Sequence, residues 1–159
     1  LMLSASPTLG TLLRHLIDLL DGEVEAAYAA SGLNWRPRYT PILRILMRDS
    51  GQSIKTIAQQ IGISHSAVSQ TVTQMVKDEL VLLKPGADAR ERIVMLTAKT
   101  EAMIPRLKRQ WSAVNQAAET LDHELSAPLS GVVKEAIAAL TDQPFGQRIQ
   151  AAAKTQSAP

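Results

Sequence analysis

SIKTIAQQIGISHSAVSQTVTQMVK, residues 53–77, is the stretch from which the fold is read. Ser53 is placed to cap a helix over Ile54–Ile61 whose inward positions are Ile54, Ile57, Ala58 and Ile61. Gly62 then supplies a residue at ease in the left-handed conformation that ends a helix. After Ile63, Ser64 caps a second helix running to about Asp78. Val68, Val72, Met75 and Val76 form its apolar stripe, and Ser66, Ser69, Gln70, Thr73, Gln74 and Lys77 form a uniformly polar opposite side. The spacing predicts two short helices joined by a tight turn, one of them with a face of short polar side chains.

Working outward, Leu80–Leu83 and Arg92–Leu96 are β-prone runs joined by Lys84-Pro85-Gly86-Ala87-Asp88-Ala89-Arg90-Glu91, a hairpin with an extended tip. Upstream, Thr40-Pro41 opens a helix with Ile42, Leu43, Ile45, Leu46 and Met47 apolar, and Asp49-Ser50-Gly51 closes it. Leu9–Ala30 carries Leu12, Leu13, Leu16, Ile17, Leu20, Val24, Ala27 and Tyr28 at spacings of three and four, an amphipathic helix in which Gly22 allows a kink. Downstream, Thr97 caps a helix, interrupted or re-entered at Pro105, that continues through Leu107, Trp111, Val114, Ala118 and Leu121. Ser126-Ala127-Pro128 starts a last helix with Leu129, Val132, Val133, Ile137 and Leu140, and Gln143–Pro159 reads as a frayed tail. There is no internal repeat.

The composition removes whole classes of protein. The chain has 159 residues, 45% hydrophobic, enough to bury a core and too apolar for disorder. It has no cysteine, which excludes a disulfide framework, thiolate metal sites and thiol redox chemistry. No apolar run approaches the ~18 residues of a membrane span. The start, Leu1-Met2-Leu3-Ser4, has no basic n-region of a signal peptide, so the expected location is cytoplasmic. Net charge is only +2, but it is unevenly placed. Residues 1–34 set Arg14 against Asp18, Asp21, Glu23 and Glu25, a net of −3. Residues 35–97 set nine Lys and Arg against five acids, a net of +4, and the remainder is +1. A basic middle between acidic or near-neutral flanks is the footprint of a nucleic-acid face, or simply a solvated one.

The order helix, helix, tight turn, helix, β-hairpin is that of a winged helix-turn-helix. A helix with one buried stripe and one face of hydroxyls and amides can enter a DNA major groove and read base edges. Candidate contacts on it are Ser64, His65, Ser66, Ser69, Gln70, Thr73, Gln74 and Lys77, with Gln70 or Gln74 able to pair bidentately with adenine. The hairpin supplies Asp88, Arg90 and Arg92, whose long cations can reach a minor groove or pair with Asp88 and Glu91. Helix starts near Ser53 and Ser64 can hold phosphate, and Ser53 is the expected phosphate contact.

Residues 53–72 resemble the helix-turn-helix of the MarR family of transcriptional regulators. Asp88-Ala89-Arg90, followed by Ile93-Val94-Met95-Leu96-Thr97, resembles that family's wing signature of Asp-x-Arg with Leu-Thr behind it. The resemblance is good over roughly residues 40–100. It implies a homodimer whose first and last helices intertwine, with a recognition helix in each major groove and a wing arginine in the adjacent minor groove of a pseudo-palindromic operator. By position, Arg90 becomes the minor-groove arginine and Asp88 its orienting partner. It further implies a regulator, most often a repressor, released by a small effector. The chain departs from the pattern where the recognition helix usually ends in glycine, for it has Asp78-Glu79 there, and Thr100 stands where a glycine often follows Leu-Thr. A non-glycine residue at positive φ would cost about 1 kcal/mol.

The expected architecture is therefore mainly α with a small β-wing: residues 1–34 an N-terminal dimerisation helix, 35–97 the winged helix-turn-helix, 98–142 C-terminal dimerisation helices and 143–159 a flexible tail. Trp35-Arg36-Pro37-Arg38-Tyr39 has two readings. Trp35, Arg38 and Tyr39 line an effector pocket, or the rings pack the joint between the first two helices. His15, His65 and His123 are dispersed, so no metal site and no cofactor is expected. Neither a phosphate-cradling glycine loop, a nucleophile elbow nor a His–Glu metal motif is present, so the expectation is a binding protein rather than an enzyme. Expected partners are double-stranded DNA, a second copy and a small-molecule effector, with no membrane. The alternative is a winged-helix module that binds a ligand or a protein and has no sequence-specific DNA affinity.

Overall fold

The computed structural model describes residues 6–157. It is mostly helical with one small antiparallel sheet. α1 (Leu9–Ala30) leads into a 3₁₀ turn (Pro37–Tyr39) and α2 (Thr40–Arg48); β1 (Gln52–Ser53), α3 (Ile54–Ile61) and α4 (His65–Lys77) follow. β2 (Val81–Pro85) and β3 (Arg92–Leu96) form the hairpin, and α5 (Ala98–Glu124), α6 (Leu129–Asp142) and α7 (Phe145–Gln156) complete the chain. Two compact units divide within α5, one up to Gln110 and the other from Trp111.

In the first unit the sheet order is β1-β3-β2, with Val81 opposite Leu96 and Pro85 opposite Arg92 along the hairpin. β1 is too short to show a two-residue period, which is why the sequence pattern missed it. It pairs Gln52 with Val94 and Ser53 with Ile93 and so ties the start of α3 to the hairpin. The core lies beneath α2, α3 and α4, where Leu43, Ile57, Val68, Met75, Val94 and Leu107 are wholly buried. Such burial of branched and long apolar side chains supplies about 1.5–3 kcal/mol each.

Caps bound the helices where side chains can take orphan N–H groups. Thr8 accepts from the Thr11 N–H, Ser53 from Thr56 and Ser64 from Ala67. α1 runs unbroken through Gly22, and α5 unbroken through Pro105. The break expected at Pro105 does not occur because the helix is held on both sides of it. Thr100 donates from its hydroxyl to the Leu80 carbonyl at 2.6 Å, and Leu107 is fully buried. Farther along, Arg106 and Gln110 both reach the end of α1, at the Ser31 carbonyl and hydroxyl.

In the second unit Asp122 receives the Ser130 hydroxyl and N–H, and these hydrogen bonds lower its carboxyl pKa. A frayed tail was expected after residue 142, and a helix stands there instead. Pro144 precedes α7, and Arg148 donates to the Gln143 and Ala139 carbonyls, so the end of α6 and the start of α7 share one capping side chain. Among the described residues no helix is long and apolar enough to cross a membrane.

Candidate nucleic-acid interface

α4 is set by its two ends and one face. Gly62 takes φ 81°, ψ 26° and donates to the Ala58 carbonyl at 2.9 Å. A Cβ on Gly62 would meet nothing within 4 Å, so the left-handed backbone alone demands glycine. Val68, Val72 and Met75 are buried and fix the inward face, whereas Val76, expected in the same stripe, is 37% exposed at its margin. Ser64, His65, Ser66, Gln70, Thr73 and Lys77 are exposed, and Ser69 and Gln74 half-buried. Thr73 donates to the Ser69 carbonyl at 2.8 Å within its own helix, which leaves its oxygen able to accept.

The C-terminus of α4 shows how the chain manages without the usual glycine. Glu79 sits at φ 59°, the one positive-φ non-glycine among the described residues. Its N–H donates to the Val76 carbonyl at 3.0 Å and that of Leu80 to Met75 at 2.9 Å, the paired bonds of a Schellman motif. Met75 and Leu80, the apolar pair that accompanies such a motif, are buried. Thr97 donates to the carbonyls of Glu79 (2.8 Å) and Leu80 (3.1 Å), and the Lys99 ammonium reaches the Asp78 carbonyl at 3.0 Å.

The wing tip is ordered by its own backbone. Gly86 donates to the Glu91 carbonyl at 2.8 Å, and Glu91 to that of Asp88 at 2.9 Å. A Cβ on Gly86 would lie 2.8 Å from Glu91 Cβ, so this close crossing needs glycine. The Asp88 carboxylate accepts the Arg90 backbone N–H at 3.1 Å. This bond is to the Arg90 main chain and does not engage its guanidinium. Arg90 and Arg92 are exposed, and among the described residues neither is held in an ion pair with Asp88 or Glu91.

Helix and wing together form an open groove of about 530 Å³. His65, Ser69 and Thr73 line it from α4, Asp88, Arg90 and Arg92 from the wing, and Lys55 from α3. Three cations face two carboxylates, those of Asp88 and Glu91. A polar helix face beside a cationic ridge suits a polyanion whose edges carry donors and acceptors. Lys55 was not singled out from the sequence, although a cation two residues after a capping serine was a usable signal.

Ser53 also lines this groove. Its side chain is buried at 6% exposure, its Oγ accepts from the Thr56 N–H at 3.0 Å, and it pairs with Thr56 Oγ1 at 2.9 Å. These hydrogen bonds of the hydroxyl start α3. Trp35 and Tyr39 are also buried, with centroids 5.5 Å apart and planes at 88°. Trp35 donates to Thr40 Oγ1 at 3.1 Å, Tyr39 to Asp78 Oδ2 at 2.8 Å, and the Arg38 guanidinium lies 5.9 Å above the Tyr39 ring. Burial, and then the bond to Asp78, push the Tyr39 phenol up to about 12. This geometry is that of the packed joint. Among the described residues no cluster of three His, Asp or Glu could hold a metal.

Residues 31–91 match the model of the MarR family. The matched stretch takes in α2, the helix-turn-helix, β2 and the wing tip, and is similar to that family's domain. No curated protein sequence matches the chain. Among solved structures, the Mycobacterium tuberculosis regulator MOSR, in complex with DNA, is similar at 24% identity and a TM-score of 0.66, over 92% of this chain and 98% of that one. The repressor CouR, bound to a 23-mer DNA duplex, is similar at 19% identity and TM-score 0.61, over 84% and 92%. PcaV from Streptomyces coelicolor, in complex with its natural ligand, is similar at 19% and 0.61, over 87% and 98%. These likenesses establish the fold along most of the chain, a winged helix with α4 as the second helix of the helix-turn-helix and β2–β3 as the wing.

Proposed function

We propose that the chain is a cytoplasmic, homodimeric DNA-binding transcriptional regulator, a repressor that binds a pseudo-palindromic operator and is released by a small-molecule effector. The carrying observation is the groove in which the polar face of α4 meets unpaired Arg90 and Arg92. Ser66, Ser69, Gln70, Thr73 and Gln74 read bases in the major groove, Lys77 contacts phosphate, and Ser64 and His65 stand at the helix start where the backbone N–H groups favour an anion. Arg90 enters the minor groove from a tip ordered by Asp88, with Arg92 beside it. The solved relatives bound to DNA support the DNA partner, and PcaV with its ligand supports an effector.

The second copy is argued from uncovered apolar faces. α1 buries only Tyr28, leaving Leu12, Leu13, Ile17 and Leu20 at 40–52% exposure. α6 buries nothing and leaves Val132, Val133, Ile137 and Leu140 at 39–61%. Helical stripes this apolar in a water-soluble chain require a partner surface, and a symmetric copy supplies it while spacing two recognition helices one duplex turn apart, about 34–36 Å.

Arg90→Ala is expected to cost about 1–3 kcal/mol of operator affinity, measured by fluorescence anisotropy, and Glu135→Ala, on α6, almost none. Equal affinity of Arg90→Ala and wild type would remove the wing from this reading.

A further inference from the structure

We propose that Tyr39 and Asp78 are positioning residues for Gln74: the buried phenol aims the Asp78 carboxylate, and the carboxylate holds the Gln74 amide in one orientation for reading a base. This rests on the DNA-binding reading above.

The three side chains form a directed chain of hydrogen bonds. Tyr39 Oη donates to Asp78 Oδ2 at 2.8 Å, and Gln74 Nε2 donates to Asp78 Oδ1 at 3.2 Å. Tyr39 is fully buried and set edge-on against Trp35, which is itself tied to Thr40, so the phenol is a fixed reference point. The backbone from Asp78 to Leu80 is held at its carbonyls by Lys99, Thr97 and Thr100. An ionised carboxylate only accepts, so Gln74 must turn its NH₂ group toward Asp78. Its carbonyl oxygen and second N–H are left for bases, in a fixed order. Gln70, one turn earlier, is exposed and has no such partner, so its amide can present either end. The two glutamines of the recognition helix thus differ: Gln70 adapts, whereas Gln74 is set to discriminate.

The test is selection of bound duplexes from a random pool by the full-length protein, wild type against Gln74→Ala, Tyr39→Phe and Asp78→Asn. Affinity for scrambled DNA and the thermal midpoint are measured alongside. Asp78→Asn keeps the volume but can donate or accept, so it no longer demands one Gln74 orientation; it decides the matter even where Tyr39→Phe does not fold. Expected is a loss of about tenfold in preference at the single base position that Gln74→Ala alters, with other positions and scrambled-DNA affinity unchanged. Preferences that superimpose on wild type, or a loss spread evenly over all positions, overturn the link and leave the DNA reading standing. A wild-type protein that enriches no motif overturns the DNA reading and the link with it.

Discussion

Glu79 carries a conformation that its side chain does not favour. At φ 59° a non-glycine residue is strained by about 1–2 kcal/mol, and the Glu79–Lys99 ion pair, 3.8 Å apart with both side chains exposed, returns at most a few tenths. Glycine would remove that strain but lose about 0.5–1 kcal/mol to its freer unfolded chain. Glu79→Gly is therefore expected to stabilise by about 0.5 kcal/mol in urea denaturation, and a destabilised variant would contradict the strain argument. Tyr39 gives a pH signature. Its phenol titrates at about 12 folded against 10.0 ordinarily, so the neutral form is favoured by folding. The stability it contributes is whole below pH 10 and is lost as pH rises through about 12. The stability gap between wild type and Tyr39→Phe should narrow from about pH 9 to about pH 11.5, and a constant gap would show that folding does not raise the phenol. The departure at Asp78-Glu79 was visible in the sequence as a missing glycine. Its resolution was not, because the carbonyls that Thr97, Lys99 and Thr100 capture lie about twenty residues away along the chain.

At the scale of elements, the helix-turn-helix was legible because each boundary has a local chemical cause. Ser53, Gly62 and Ser64 act through their own hydrogen bonds and φ angles, and the apolar stripe of α4 has one period throughout. Gly62→Ala, with open space around the added methyl, isolates the backbone cost and is expected to lower stability by about 1 kcal/mol; no change would remove the left-handed turn from the account. Elements set by distant partners were less legible. The two residues of β1 owe their strand character to β3, and the continuity of α5 past Pro105 owes itself to buried Thr100 and Leu107. α7 follows from Arg148 reaching back over the end of α6, which an Ala- and Gln-rich composition does not announce. The candidate site divides the same way. Arg90 stands on the hairpin tip and the polar residues of α4 on the face where periodicity puts them, while Ser53 is a buried cap at the groove and Trp35 and Tyr39 face inward. Serine and aromatic side chains suit a cap or a core as well as a ligand, and only packing decides between them.

For the whole molecule the decisive feature is apolar surface left open on α1 and α6. Ile17→Asp and Ile137→Asp each place a charge in a stripe that the second copy is proposed to cover. Both are expected to shift the protein toward monomer in sedimentation velocity and to weaken operator binding, because two half-sites are then no longer held together. A dimer indifferent to both would move the interface elsewhere. The uneven charge, basic over residues 35–97 and acidic over 1–34, fits one DNA-facing domain joined to elements of another purpose.

The most direct measurement is fluorescence anisotropy of the protein on the intergenic DNA beside its own gene, against scrambled DNA, across a salt series. A DNA-binding dimer predicts tight, preferential binding of a fragment containing an inverted repeat, with a steep log–log salt slope from released counterions. Equal, weak binding to both fragments with a shallow slope would contradict it.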